Sequence, residues 1–214
     1  YYSEAVKMNP AYLDAYLGLV NTHFLLKNYV SAQDNLEIAK TINAQDSRVM
    51  LFELFLNFEL YALQKVEKNI LQLESKSLDP KSRTLIEFLK GILFLYQKMP
   101  LKALAVFESL KNKDNFNNPE SRYYYLLNNN IGLCYLWSKN VDSAKKTFTE
   151  LISKVEGVKD SPLLKTDIGH IYLNYAITLW LNGEYVPSLL YFEKINKISG
   201  DLYPYYLAIK DYVQ

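Results

Sequence analysis

The sequence predicts an all-α chain built from consecutive helix–turn–helix pairs. Three observations carry that prediction. Between Leu13 and Asp46, apolar residues recur at three- and four-residue steps in two successive runs, which places them along one face of each of two helices. A short polar turn, Lys27-Asn28, separates the runs, and Lys139-Asn140 and Asn182-Gly183 punctuate the chain in the same way further on. The pattern then returns, first after 34 residues and later at longer steps.

Taken in order, residues 1–10 carry Ala5, Met8 and Pro10, the pattern expected at the end of a second helix, so the chain is expected to begin inside a truncated repeat. Residues 13–46 form the first full unit, with Tyr16, Leu19, Val20, His23 and Phe24 on one helix face and Tyr29, Ala32, Leu36, Ala39 and Ile42 on the next. Residues 47–80 form the second, with an apolar helix over Val49 to Ala62 and a partner over Val66 to Ser75. Here Lys68 is read at the place of Ala32, which makes the unit degenerate.

Residues 84–112 restore the pattern through Gly91, Phe94, Ala103 and Phe107, with Pro100 at a helix start, where its missing N–H costs nothing. Lys111 to Asn118 reads as a loop, and Asn118-Pro119-Glu120 as the next helix start. Residues 119–155 place Ile131, Gly132, Tyr135, Ala144, Phe148 and Leu151 on the repeat positions. Ser161-Pro162 opens a fifth unit, 162–198, with Tyr172, Tyr175, Ala176, Leu179, Ser188, Phe192 and Ile195, and residues 201–213 are expected to form a terminal capping helix.

The 34-residue unit, with an aromatic at Tyr16, then Leu19, the small Ala32 and Ala39, and Leu36 between them, resembles the tetratricopeptide repeat. Val20 and Ala44 depart from that pattern, where a small residue and a proline are usual. The resemblance covers nearly the whole chain and implies a right-handed α–α superhelix of about five repeats over residues 1–214.

Composition narrows the function. Lys and Arg total 24 against 23 Asp and Glu, a balance that argues against phosphate binding as the main role and so against nucleic acid as this domain's partner. Cys134 is the only cysteine, so neither an internal disulfide nor a multi-cysteine zinc site can form; a reducing compartment fits, with the cytoplasm favoured. No apolar run reaches the roughly 20 residues of a membrane span. His23 and His170 have no Cys or carboxylate at metal-ligand spacing, and Cys134 lies in an apolar helical stretch, as a structural thiol does. Neither a catalytic site nor a cofactor is expected.

The resemblance implies a binding surface: the first helix of each pair lines a concave wall. Counting along the units puts Asp14, Leu17, Gly18, Asn21, Phe24 and Leu25 there in the first. Met50, Glu53, Leu54, Asn57, Leu60 and Tyr61 follow in the second. The third contributes Tyr96, the fourth Asn129, Asn130 and Trp137, and the fifth His170, Asn174 and Trp180. No Lys or Arg falls at these places, so the carboxylate clamp of chaperone-tail-binding relatives is incomplete.

Asparagine recurs instead, although it costs roughly half a kcal/mol against alanine inside a helix. An amide can donate to and accept from a peptide bond, so Asn21, Asn57, Asn129, Asn130 and Asn174 are candidate peptide-binding residues, with Phe24, Tyr61, Tyr96, Trp137 and Trp180 as apolar walls. The same asparagines could bond between neighbouring helices or face water, and the aromatics could pack between repeats. An Asn-lined apolar groove with long repeats is similar to the receptor domains of bacterial peptide-pheromone regulators, which implies a sensor role beside an effector domain. The expected function is a non-catalytic module that binds a protein or peptide, the alternatives being a scaffold or oligomerisation domain and such a sensor.

Overall fold

A computed structural model describes residues 1–157, 163 and 165–198. The described residues are helices joined by short turns: α1 (Tyr2–Met8), α2 (Leu13–Leu25), α3 (Tyr29–Asn43), α4 (Ser47–Glu59), α5 (Leu63–Glu74), α6 (Pro80–Tyr96), α7 (Pro100–Leu110), α8 (Asp114–Asn117), α9 (Arg122–Trp137), α10 (Val141–Gly157), α11 (Lys165–Leu181) and α12 (Tyr185–Ile198). No strand occurs among them. The Ser161-Pro162 cap and the helix expected over 201–213 lie outside the described residues. The chain divides into two compact units, Tyr1–Leu93 and Phe94–Gln214.

The turns set the register. Lys27, Tyr61, Lys98, Lys139 and Gly183 each have a φ between 54° and 81°, the left-handed conformation that ends a helix. Each of these residues donates its N–H to the carbonyl three residues back: Lys27 to Phe24, Tyr61 to Phe58, Lys98 to Leu95, Lys139 to Leu136 and Gly183 to Trp180. The following residue donates five back: Asn28 to His23, Ala62 to Asn57, Met99 to Phe94, Asn140 to Tyr135 and Glu184 to Leu179. Two otherwise orphaned carbonyls are satisfied at every first-helix end. Asn28 and Asn140 then cap the second helix, their side chains accepting from the N–H of Ser31 and Ser143.

In the first unit, α2 and α3 pack through Tyr16, Leu17, Val20, Ala32, Leu36 and Ala39, all at or below 9% exposure. One step of 34 residues later, Val66, Ile70 and Leu73 fill the slots of Ala32, Leu36 and Ala39, packed with Met50, Leu54, Ile86, Leu89 and Leu93. Lys68 is exposed and is not the counterpart of Ala32. The second repeat is therefore a regular pair with larger side chains at its small-residue positions.

In the second unit, α9 to α12 enclose Tyr125, Ala144, Phe148, Leu151, Ile171, Tyr175, Ala176, Leu179, Phe192 and Ile195. Gly132 lets α10 approach α9: a Cβ there would lie 2.5 Å from the Phe148 ring. Ser188 takes the small-residue slot between α11 and α12, its buried hydroxyl donating to the Ala176 carbonyl at 2.8 Å. Ahead of α9, Lys111–Asn118 is not wholly loop. The one-turn α8 buries Phe116, whose ring lies 5.4 Å from that of Tyr123 at a tilt of 53°. The Asn118 side chain accepts from the Glu120 N–H, but α9 starts at Arg122, capped by Ser121.

Two substitutions test these contacts. Gly183→Ala meets nothing within 4 Å, so its cost is the left-handed backbone alone, about 1 kcal/mol in a denaturant titration. Gly132→Ala pushes a methyl into Phe148 and is expected to cost more, about 1–3 kcal/mol.

Candidate functional site

The inner positions of two consecutive first helices converge in the first unit. Asp14, Leu17, Gly18 and Asn21 of α2 face Arg48, Leu51, Phe52 and Phe55 of α4 across an open cavity of about 450 Å³. The two sets are related by the 34-residue step, residue for residue. The Tyr2 ring lies against Gly18 and closes one side. The walls are mainly apolar, and Asn21, exposed on α2, makes no side-chain hydrogen bond among the described residues.

One polar group here escaped the sequence reading. Arg48 donates to Asp14 at 2.7 Å across the groove and to both oxygens of Asp46, at 3.1 and 2.8 Å. Asp46 also caps α4 by accepting from the Arg48 N–H at 2.8 Å. The Arg48 guanidinium beside it holds the Asp46 carboxyl below its usual value, and Asp46 and Asp14 together push Arg48 well above its own. The sequence register that put Met50, Glu53 and Asn57 on this wall began the helix at Val49. A strict 34-residue step from Asp14 lands on Arg48 and would have found it.

Asn57 lies elsewhere. It is 6% exposed, on a different face of α4, and donates to Asn69 at 2.7 Å, which in turn donates to Glu53 at 3.1 Å. Phe24 is half-buried between repeats, its ring 5.8 Å from Tyr29 and 6.4 Å from Phe55. Tyr61 occupies the left-handed turn position and is exposed.

In the second unit, Asn129 of α9 accepts from Asn174 of α11 at 2.9 Å, so two of the candidate amides bridge neighbouring first helices. Asn130, half-buried beside them, makes no side-chain hydrogen bond among the described residues. The same helices are joined by Arg122, whose guanidinium grips Asp167 through two bonds of 2.7 and 2.9 Å. Tyr96 and Trp137 are about half exposed at the ends of their helices. Trp180 is half-buried, its ring 6.5 Å from Tyr185.

Of the groups considered for chemistry, Cys134 and His23 are packed against their neighbours and His170 is not. Cys134 is fully buried, and desolvation, with Glu108 adding to it, pushes its thiol up to about 12. His23 is half-buried with a buried Nδ1 that has no partner among the described residues, and His170 is exposed. No group of three or more His, Cys, Asp or Glu among the described residues could hold a metal ion. No helix among them is long and apolar enough to cross a membrane.

No family model matches the chain, and no curated protein matches it. Solved structures do. The chain is similar to TTC0263, a thermophilic tetratricopeptide-repeat protein of Thermus thermophilus, at 16% identity over 92% of this chain and 97% of that one, with a TM-score of 0.68. It is similar to YrrB, described as a tetratricopeptide-repeat protein with an unusual peptide-binding site, at 11% identity, 98% and 97% coverage and a TM-score of 0.56. It also matches a chain of the Cut9–Hcn1 hetero-tetramer at 12% identity and a TM-score of 0.75, over 93% of this chain and 36% of that one. The fold is that of the tetratricopeptide repeat, an α–α superhelix type built from helix–turn–helix pairs.

The Asp46 cap gives a pH-dependent expectation. Asp46→Ala should lower stability by about 1 kcal/mol at neutral pH. The folded carboxyl sits below its unfolded value, so its contribution is complete above the ordinary carboxylate range and is lost as pH falls through the folded value. Urea titrations of wild type and variant should therefore differ at pH 7 and converge as the pH drops below about 4.

Proposed function

We propose that this chain is a non-catalytic protein-interaction module whose first-helix wall holds an extended peptide segment. The observation that carries the reading is the groove between α2 and α4, where Leu17, Leu51, Phe52 and Phe55 form apolar walls around the unengaged amide of Asn21. Apolar ligand side chains would enter between the phenylalanines and leucines, while Asn21 bonds one peptide group of the ligand in both senses. Arg48, held across the groove by Asp14 and bonded also to Asp46, fixes the polar end of the groove without offering the ligand a free positive charge. The fold shared with a protein described as having a peptide-binding site supports the same reading.

Asn129 and Asn174 enter this proposal differently. Their mutual bond uses one donor and one acceptor, so each keeps capacity for a ligand while also tying α9 to α11. That bond favours the competing reading of these two as packing residues, and stability and binding must be read separately for them. Asn21, with no such bond, reports on binding alone.

The test selects a binding peptide from a displayed library and follows its fluorescence anisotropy. Asn21→Ala is expected to weaken the selected peptide about tenfold, the size of one lost hydrogen bond, with the melting temperature unchanged. Selected peptides that bind Asn21→Ala as well as wild type would overturn the assignment.

A further inference from the structure

Opposite this groove, α4 forms the floor of a second and different one. Met50, Glu53, Asn57 and Leu60 lie at its base, α3 and α5 form its sides, and its volume is about 970 Å³. It shares no residue with the groove lined by Arg48, Leu51, Phe52 and Phe55.

Its charge is one-sided. Lys40, Lys65, Lys68 and Lys76 line it against Glu37 and Glu53. Both glutamates are already engaged, by Lys40 at 3.3 and 2.9 Å. Lys76 donates to Gln45 at 2.5 Å rather than to an acid, and Lys65 and Lys68 are exposed with no ion pair among the described residues. The groove therefore presents uncompensated positive charge from α5.

The floor is polar where a repeat core is ordinarily apolar. Asn57 and Asn69 are 6% and 5% exposed, and burying such amides is costly unless they are bonded. Their bonds run from Asn57 to Asn69 to Glu53. The Asn57 Oδ1 accepts no bond among the described residues, which leaves an acceptor for a ligand N–H at the base of the groove. Gln33 and Gln72 on the side walls, with Met50 and Leu60, add neutral and apolar contacts.

We infer that the α3–α4–α5 groove is a second binding site, which takes an extended acidic peptide segment. The free lysines meet its carboxylates, and the amide floor meets its backbone N–H. A bare polyanion would satisfy the lysines and leave the acceptor and apolar floor unused. The inference stands apart from the groove of the proposed function, since neither needs the other.

The probe is a fluorescein-labelled peptide alternating acidic residues with alanine, titrated at low salt against the full chain. Saturable binding is expected, absent for the Gln/Asn version of the peptide. Lys65→Glu/Lys68→Glu should weaken it about tenfold or more through charge reversal at the rim, with unchanged circular dichroism since both side chains are exposed. Asn21→Ala should leave it intact, which separates this site from the first groove. The assignment falls if the acidic peptide does not saturate or if the double reversal leaves its affinity unchanged. Inorganic polyphosphate of equal charge binding as tightly would also overturn it, since the site would then read charge alone.

Discussion

Each helix pair depends on how its first helix stops. At five turns among the described residues the chain reverses through one residue in the left-handed conformation, whose own N–H and that of the next residue satisfy carbonyls three and five residues back. At four of those turns the residue is Lys or Tyr, which pays about 1–2 kcal/mol that glycine would not. The compensation is local: satisfied carbonyls, and in two turns an asparagine that closes one helix and caps the next. The turn also fixes where the second helix begins, and so which side chains of the pair meet.

That fixed phase is why α4 can present two unlike faces. Along one, Arg48, Leu51, Phe52 and Phe55 continue the wall begun by α2. Along the other, Met50, Glu53, Asn57 and Leu60 lie between α3 and α5. A helix in a two-layer stack has its remaining sides taken up by Leu54 and Leu56, both fully buried. A change of two residues in phase exchanges the faces, so the same asparagine is either a wall residue or a buried partner of Asn69.

The legible parts of the fold were those set by local chemistry. Polar turn residues marked Lys27-Asn28, Lys139-Asn140 and Asn182-Gly183, and periodic apolar residues marked the helices between them. The turn at Tyr61 was harder, because a tyrosine in a left-handed turn carries no glycine or asparagine signal, and the register of the second repeat had already slipped at its start, read at Val49 instead of Ser47. Phe116 was missed because a lone aromatic in an Asn-rich stretch has no periodicity, and its burial in a one-turn helix beside Tyr123 is a tertiary contact. The candidate site was legible in kind more than in membership: Asn21 lies where the spacing put it, whereas Arg48 came into view only with the groove.

The chain by itself determined that it would be helical, paired and repetitive, since those follow from spacing and turn residues within reach of one another. The tertiary structure decided which asparagines are engaged. Asn57 with Asn69, and Asn129 with Asn174, are partners 12 and 45 residues apart. An amide in a helix looks the same in sequence whether it meets another amide or water. Only the packing of neighbouring helices brings a partner within bonding distance, and that distance separates an asparagine that also ties helices together from one whose whole amide is left for a ligand.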